Sequence, residues 1–273
     1  MKFYNEVRED LKNYVNHYWI AQGDMHNETL KIIPIDHIDM LLTIEGQYYV
    51  KKNEVFELKR EAFFTAMMDS PTMVRSNGHL VLFGVSFKPW GFYPIVGDDL
   101  DKYKNRSVDL KIVNPKLDKR IKEARNKHRD KFSEDIPDNF ITLLEDALVE
   151  SISESSIDED LMEILYSFCQ VGEGVFDLVK SELNLSNKYV ERLFKKYVGI
   201  PPAKFFKIKR FHDATRKVIG KSDVKLTDIA YDSDYYDQAH FIRDFKKYVE
   251  ETPSGVRKKK TILKSRYKYI KDD

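Results

Sequence analysis

Two segments of the chain, ERLFKKYVGIPP (191–202) and IRDFKKYVEETP (242–253), carry the same five-residue run at an interval of 51 residues. A duplicated unit constrains the fold strongly, because both copies must adopt the same local structure. Arg192 aligns with Arg243, Phe194 with Phe245, residues 195–198 with 246–249, and Pro202 with Pro253. Upstream, the same interval sets Asp177 on Asp228, Leu178 on Ile229, Leu185 on Tyr236 and Ser186 on Asp237. The shared pattern spans about 25 residues, too few for a domain core and the size of one supersecondary unit.

In the first copy Ser186 is suited to cap a helix that sets Val190, Leu193, Phe194 and Tyr197 on one face. Lys188, Glu191, Arg192 and Lys195 form the opposite, polar stripe. Before the cap, 175–184 reads as a shorter helix anchored by Val175, Leu178 and Val179. The second copy repeats the design: Leu226, Ile229 and Ala230 anchor a helix, 233–236 make a turn, and Asp237 caps a helix with Phe241, Phe245, Tyr248 and Val249 inside. Its outer stripe is Ala239, Ile242, Arg243 and Lys246, with Gln238 and His240 beside it. Helix, short turn and second helix with a polar outer stripe is the helix-turn-helix arrangement. Arg, Gln and Lys early in such a helix can bond base edges or phosphates in a major groove. Glu191 could accept from a cytosine amino group or pair with Lys188 or Lys195, and pairing is the favoured reading. Between the copies, 201–219 opens with two prolines and places Phe205, Ile208, Phe211 or His212, Thr215 and Val218 near helical spacing. A connecting helix there would hold two recognition helices at a fixed separation, as two grooves about 34 Å apart require.

Charge is divided in the same way. Residues 170–273 hold 24 Lys and Arg against 15 Asp and Glu, a net +9, whereas residues 1–169 hold 22 against 30, a net −8. A basic domain beside an acidic one suits a polyanionic partner, since each neutralised phosphate releases a counterion. The one cysteine, Cys169, excludes an intrachain disulfide and a Cys-rich zinc site. It lies on an apolar helical pattern and is expected in the core. A reducing cytoplasm is the expected compartment. The N-terminus lacks the apolar run of a signal peptide, and no membrane-spanning segment is expected.

Residues 18–113 read as β structure. MLLTIEGQYYVKK (40–52) reads as two runs about a Glu45-Gly46 turn, 61–68 as another strand, and 79–92 as a long strand ending at Pro89. Such spacing suggests a sandwich or barrel. After Pro115 the pattern is helical. One stripe carries Ile141, Leu144, Leu148 and Ile152 and another Leu161, Ile164, Leu165 and Phe168; these read as core or as a homodimer seam. QVGEG (170–174) reads as a linker. The fold class is therefore α+β: a β-rich, sandwich- or barrel-like (cupin-like) sensor or dimerisation domain with C-terminal helices over 1–169, and an all-α domain over 175–257 with two helix-turn-helix motifs. A basic tail follows over 258–273, read as a solvated extension or a source of further phosphate contacts.

DIAYDSDYYDQAHFIRDFKKYVEETPSGVR (228–257), supported by LSNKYVERLFKKYVGIPPAKFFKIKR (185–210), resembles the DNA-binding domain of the AraC/XylS family of bacterial transcription regulators. The resemblance covers about a third of the chain. It implies seven helices, with both recognition helices in adjacent major grooves on one face of double-stranded DNA. Carried onto this chain, it implies base contacts from Lys188, Glu191, Arg192, Gln238, Ala239, His240 and Arg243, and phosphate contacts from Lys195 and Lys246. Asp234 stands where the family usually has Gly. Family members commonly place a β-rich sensor or dimerisation domain first, and 81–97 is similar to a stretch of such regions.

The expected function is sequence-specific DNA binding for the control of transcription, with the transcription machinery as partner and a small-molecule effector or a homodimer served by the first domain. Phe83, Phe87, Trp90 and Phe92 are the candidate lining of an effector pocket, against the alternative that they are core. His17, His26, His37 and His79 lack a paired metal-ligand spacing, so neither a metal nor another cofactor is expected. The chain has no G-x-S-x-G, P-loop, G-x-G-x-x-G or H-E-x-x-H motif, and no catalytic residues are assigned. The competing reading is a small-molecule enzyme or carrier fused to a non-specific DNA anchor, for which Cys169 alone supplies no reactive setting.

Overall fold

The computed structural model describes residues 1–59, 61–132, 135–154, 157–220 and 224–258, with the side chains of 25–28, 130 and 258 excepted. The basic tail read from the sequence lies, apart from the backbone of Lys258, outside the described residues.

The first part is one antiparallel sheet of seven strands: β1 (Lys2–Tyr4), β2 (Val15–Ile32), β3 (Asp39–Lys52), β4 (Val55–Lys59), β5 (Ala62–Thr65), β6 (Thr72–Phe87) and β7 (Ser107–Asp109). Their order is β1-β2-β6-β3-β5-β7, with β4 also on β3. The expected turn at Glu45-Gly46 is instead a pair of irregularities inside the continuous β3, between Thr43 and Glu45 and between Glu45 and Gln47. Gly46 sits there at φ +83°, and a Cβ would lie 2.2 Å from the His79 carbonyl oxygen, so a bulge and close backbone approach explain the glycine.

Side chains alternate between two apolar clusters, as the period of two demands. Tyr18 and Ile20, Met40 and Leu42, and Val81, Phe83, Val85 and Phe87 face the larger one, which the helices cover. Trp19 and Ala21, Leu41, Tyr48 and Val50, Phe63, and Leu80 and Leu82 face the other. The buried residues of that second cluster all come from strands, so the sheet curls over itself. Gly84, paired with Trp19 across β2 and β6, makes room for the indole: a Cβ at 84 would lie 2.0 Å from it.

Short helices α1 (Tyr93–Val96) and α2 (Leu110–Val113) follow, then α3 (Pro115–His128), α4 (Asp138–Ser153) and α5 (Glu159–Gln170). Asn114 caps α3 and Asp158 caps α5, each accepting from a backbone N–H in the first turn. The stripes of α4 and α5 are taken up inside the chain. Leu144, Leu148, Ile152, Leu165 and Phe168 are buried in the larger cluster, and Ile141, Leu161 and Ile164 pack against it.

The remaining helices are α6 (Glu173–Glu182), α7 (Asn187–Leu193), α8 (Pro202–Gly220), α9 (Leu226–Tyr231), α10 (Gln238–Val249) and α11 (Pro253–Lys258). A π-helical turn, Phe194–Val198, extends α7. The resemblance implied seven helices, and α6 to α11 supply six. α5 packs against them as a seventh: its Phe168 ring lies 5.0 Å from that of Phe176 and 6.1 Å from that of Phe194. The linker expected over 170–174 shrinks to Val171 and Gly172 between α5 and α6, and Lys209 of α8 fastens it by donating to the carbonyls of Cys169, Gln170 and Val171 at 2.6, 3.0 and 3.0 Å.

α8 joins two cores. Its Phe205, Phe206 and Ile208 belong to the cluster that reaches back to the sheet, and its Phe211, Ala214, Val218 and Ile219 to a separate cluster with α9, α10 and α11. Among the described residues of the first part, Ile33, just after β2, is the one buried in that separate cluster.

Candidate nucleic-acid interface

Both recognition helices begin with a side-chain cap. Ser186 Oγ accepts from the Tyr189 N–H at 3.2 Å, and Asp237 Oδ1 accepts from the His240 N–H at 2.6 Å. Val190, Leu193 and Phe194 are buried beneath α7, and Phe241, Phe245, Tyr248 and Val249 beneath α10. The 3.6-residue period then turns the opposite stripes outward. Lys188, Glu191, Arg192 and Lys195 are exposed on the first, and Ala239, Arg243 and Lys246 on the second.

These side chains differ in freedom. Glu191 pairs with Lys195 at 2.7 Å, the alternative favoured on sequence grounds. The Arg192 guanidinium lies 5.4 Å from the centre of the Tyr189 ring, an aromatic shelf that leaves its donors outward. Gln238 Oε1 accepts from Thr227 Oγ1 at 2.9 Å, tying α10 to α9. His240 stands edge-on to Tyr235, with ring centres 5.2 Å apart, and Asp244 lies 3.9 Å from its Nε2. Gln238 and His240 are half-buried and less free than Arg243.

The two modules superpose less simply than a uniform interval of 51 suggests. In the first turn Asn184 is left-handed (φ 51°) and the Leu185 N–H bonds to the Lys180 carbonyl at 3.0 Å. In the second, Asp234 is left-handed (φ 57°) and the Tyr235 N–H bonds to the Ala230 carbonyl at 3.0 Å. These helix ends are 50 residues apart, so the second turn holds one extra residue, Tyr236, which is 87% exposed. Val179, not Leu178, is thus the equivalent of Ile229. Leu178 is 63% exposed whereas Ile229 is fully buried, and the inward residues of α6 are Phe176 and Val179. The anchors Val175 and Leu178 inferred from the sequence therefore lie on the outer face.

The four aromatics expected to line an effector pocket are core instead. Phe83, Phe87, Trp90 and Phe92 are all at most 1% exposed. Phe83 meets Phe140 at 5.2 Å, Phe87 meets Phe92 at 5.0 Å, Phe92 meets Phe64 at 4.6 Å, and Trp90 meets Tyr166 at 6.1 Å. They belong to the cluster that the helices cover, packed ring to ring. A cavity does exist at the inner face, between Leu41, Tyr48, Val50 and Val74, with His37 and Asp39 in its wall. Its volume is about 30 Å³, room for one water.

His37 connects that cavity wall to α8. Its Nδ1 lies 3.1 Å from Asp36 Oδ1 and its Nε2 3.6 Å from Asp39 Oδ1, and His212 of α8 approaches Asp36 Oδ1 at 3.5 Å. Burial would raise the Asp36 pKa, but the His37 hydrogen bond and the charges of both histidines hold it below the carboxylate range. Burial would lower His37, but Asp39 and Asp36 raise it above the ordinary histidine value. For His212 burial prevails and the value is lowered. Three further contacts join the two parts: Asp69 with Lys204 of α8, Lys31 with Glu250, and Tyr93 tilted against Tyr197 with ring centres 4.4 Å apart. None had a local sequence signal, since each pairs residues more than a hundred positions apart.

Cys169 is buried, and burial pushes its thiol well above the ordinary range, which makes it a poor nucleophile. Among the described residues, no helix is long and apolar enough to cross a membrane.

Residues 180–259 match the family described as a Helix-turn-helix domain, and residues 7–109 match a Domain of unknown function (DUF6597). The Probable transcription factor PqrA of Proteus vulgaris is 28% identical over 104 residues, which are 38% of this chain and 84% of PqrA. Among solved structures, ToxT from Vibrio cholerae aligns over 88% of this chain and 97% of its own at 10% identity and a TM-score of 0.49. The AraC-like transcriptional activator CuxR aligns over 73% and 78% at 16% identity and a TM-score of 0.34. With two capped recognition helices on one connecting helix, residues 180–259 form a helix-turn-helix domain, and the chain is similar there to AraC-type transcription regulators.

Proposed function

We propose that the protein is a sequence-specific DNA-binding transcription regulator that sets α7 and α10 in two successive major grooves, under the control of a small-molecule effector bound by the N-terminal part. The observation that carries this reading is the pair of capped helices whose exposed stripes repeat at an interval of 51 residues. In this reading the sensor extends over the sheet, α3 and α4, and the DNA-binding unit begins at α5. Arg192 and Arg243 read bases, because each is exposed and, among the described residues, has no carboxylate partner. Lys188 and Glu191, with Gln238, Ala239 and His240, complete the two base-facing surfaces, and Lys195 and Lys246 neutralise phosphates. The contacts of the first part with α8 and α10 give an effector a route to the spacing of the two helices.

Selection of sheared genomic DNA by the full-length protein at two salt concentrations tests the reading. The expected result is an enriched motif of two short elements about one helical turn apart. Arg192→Ala or Arg243→Ala should weaken binding to the selected site roughly 5- to 150-fold, as loss of a bidentate base contact requires, and binding to random DNA far less. Salt-sensitive binding without any enriched motif overturns the proposal of sequence-specific reading.

A further inference from the structure

We propose that the cleft between the bulge of β3 and the outer face of α3 binds a metabolite-sized anion through Arg125 and Arg129, and is the effector site of this protein. The cleft encloses about 560 Å³, within the range of small-molecule sites. Its walls come from Thr43, Ile44 and Gly46 on β3, the β4–β5 corner at Leu58 and Glu61, Lys111 of α2, and Asp118, Lys122 and Arg125 along α3 with Arg129 just past its end.

The charges in these walls do not balance. Lys122 takes up two carboxylates, pairing with Glu61 and with Asp118 at 2.7 Å, and Asp109 lies 3.7 Å from Lys59. Among the described residues that leaves Lys111, Arg125 and Arg129 facing the cleft without a carboxylate partner. Arg125 is half-buried and aimed by neutral acceptors: its Nη1 donates to the Thr43 carbonyl at 3.2 Å, and its Nε and Nη2 donate to Asn126 Oδ1 at 3.2 and 3.0 Å. Burial lowers its pKa; the charges of Glu61 and Asp118 oppose that shift without forming an ion pair, and the like charge of Arg129 one turn away adds to it. Basic side chains do collect at helix C-termini, where they complement the dipole. That accounts for positive charge on the last turn of α3, but not for a desolvated arginine beside a second one at the wall of an open cleft.

Two guanidinium forks in one cleft match a phosphate or carboxylate group bidentately. The space exceeds what an inorganic ion fills, and the walls are mostly polar. The geometry therefore suits a polar metabolite with a phosphate or carboxylate head, such as a sugar phosphate or a polycarboxylate. This assignment deepens the effector reading above and is independent of which DNA sequence the protein recognises.

The test is calorimetric titration of the full-length protein, without DNA, using glucose 6-phosphate and citrate as anionic probes and glucose as the neutral control at matched ionic strength. The expected result is saturable binding of at least one anion and none of glucose. Arg129→Gln, at an exposed position, and Arg125→Gln should each weaken that binding ten- to a hundredfold, with the Arg129→Gln protein retaining its melting temperature. Binding by neither anion, or binding that survives Arg129→Gln unchanged, overturns the assignment. Loss of the DNA motif in the selection experiment would leave this result standing, so the two readings fail separately.

Discussion

Phe194 and Phe245 hold equivalent places in the two copies of FKKYV, and replacing each by alanine should have different reach. Both rings are fully buried. Phe194 lies within 6.2 Å of the ring centres of Phe168, Phe176, Phe205 and Phe206, in the cluster that continues through α4 to the sheet. Phe245 meets Phe211 at 6.1 Å and Phe241 at 5.6 Å, in the smaller cluster of α8 to α11. Deleting a buried phenylalanine costs about 3–5 kcal/mol in either setting. In the large cooperative unit, where each kcal/mol moves the midpoint about 2–4 °C, Phe194→Ala should lower the main transition by about 10 °C. In the small unit each kcal/mol moves it about 4–8 °C, so Phe245→Ala should split off an early transition about 20 °C below the parent. Scanning calorimetry reads both, and hydrogen exchange locates them. With Phe245→Ala, protection should fall over α9, α10 and α11 while the sheet stays protected. An equal loss of protection in the sheet would refute the division into two cores.

Titration of the His37–His212 bridge predicts a stability maximum near pH 6.5. Below it the unfolded chain binds a proton at His212 that the folded chain refuses, so stability falls with acidification; above it His37, whose value is raised, loses its proton and stability falls again. His212→Gln should flatten the acid limb below about pH 6.5 in urea titrations, and an unchanged slope would count against burial as the cause. Asp234→Gly should stabilise the protein by about 0.5 kcal/mol, since relief at φ 57° exceeds the entropy cost of glycine; a lowered urea midpoint would contradict this. Gly84→Ala should cost about 1–3 kcal/mol or more, because the added methyl collides with the buried Trp19 ring, with a matching change in tryptophan fluorescence.

Features that rest on contacts within a few residues are legible along the chain. Ser186 and Asp237 each precede a run with apolar residues at helical spacing, so the caps, the inward faces and the outward basic stripes all follow from contacts within about four residues. The interval of 51 is equally local, and its slip to 50 upstream of Tyr236 escaped because an added turn residue alters neither helix's own pattern. An interval of 51 sets Leu178 inward with Ile229, whereas the inward face of α6 is marked by Phe176 and Val179.

The sequence by itself therefore determined a duplicated, capped helix-turn-helix unit, its basic character and a β-rich partner, because propensity, capping and periodicity act over one or two turns. Only the tertiary structure decided what covers each apolar face. It buried Phe83, Phe87, Trp90 and Phe92 beneath the helices, drew the stripes of α4 and α5 into the same core, and fastened 170–174 to Lys209. It also brought Asp36 and His37 to His212, and turned Arg125 and Arg129 into one cleft where, among the described residues, neither has an ion-pair partner. Those pairings join residues far apart in the chain, where burial and charge are set by packing across the whole molecule and not by any pattern along it.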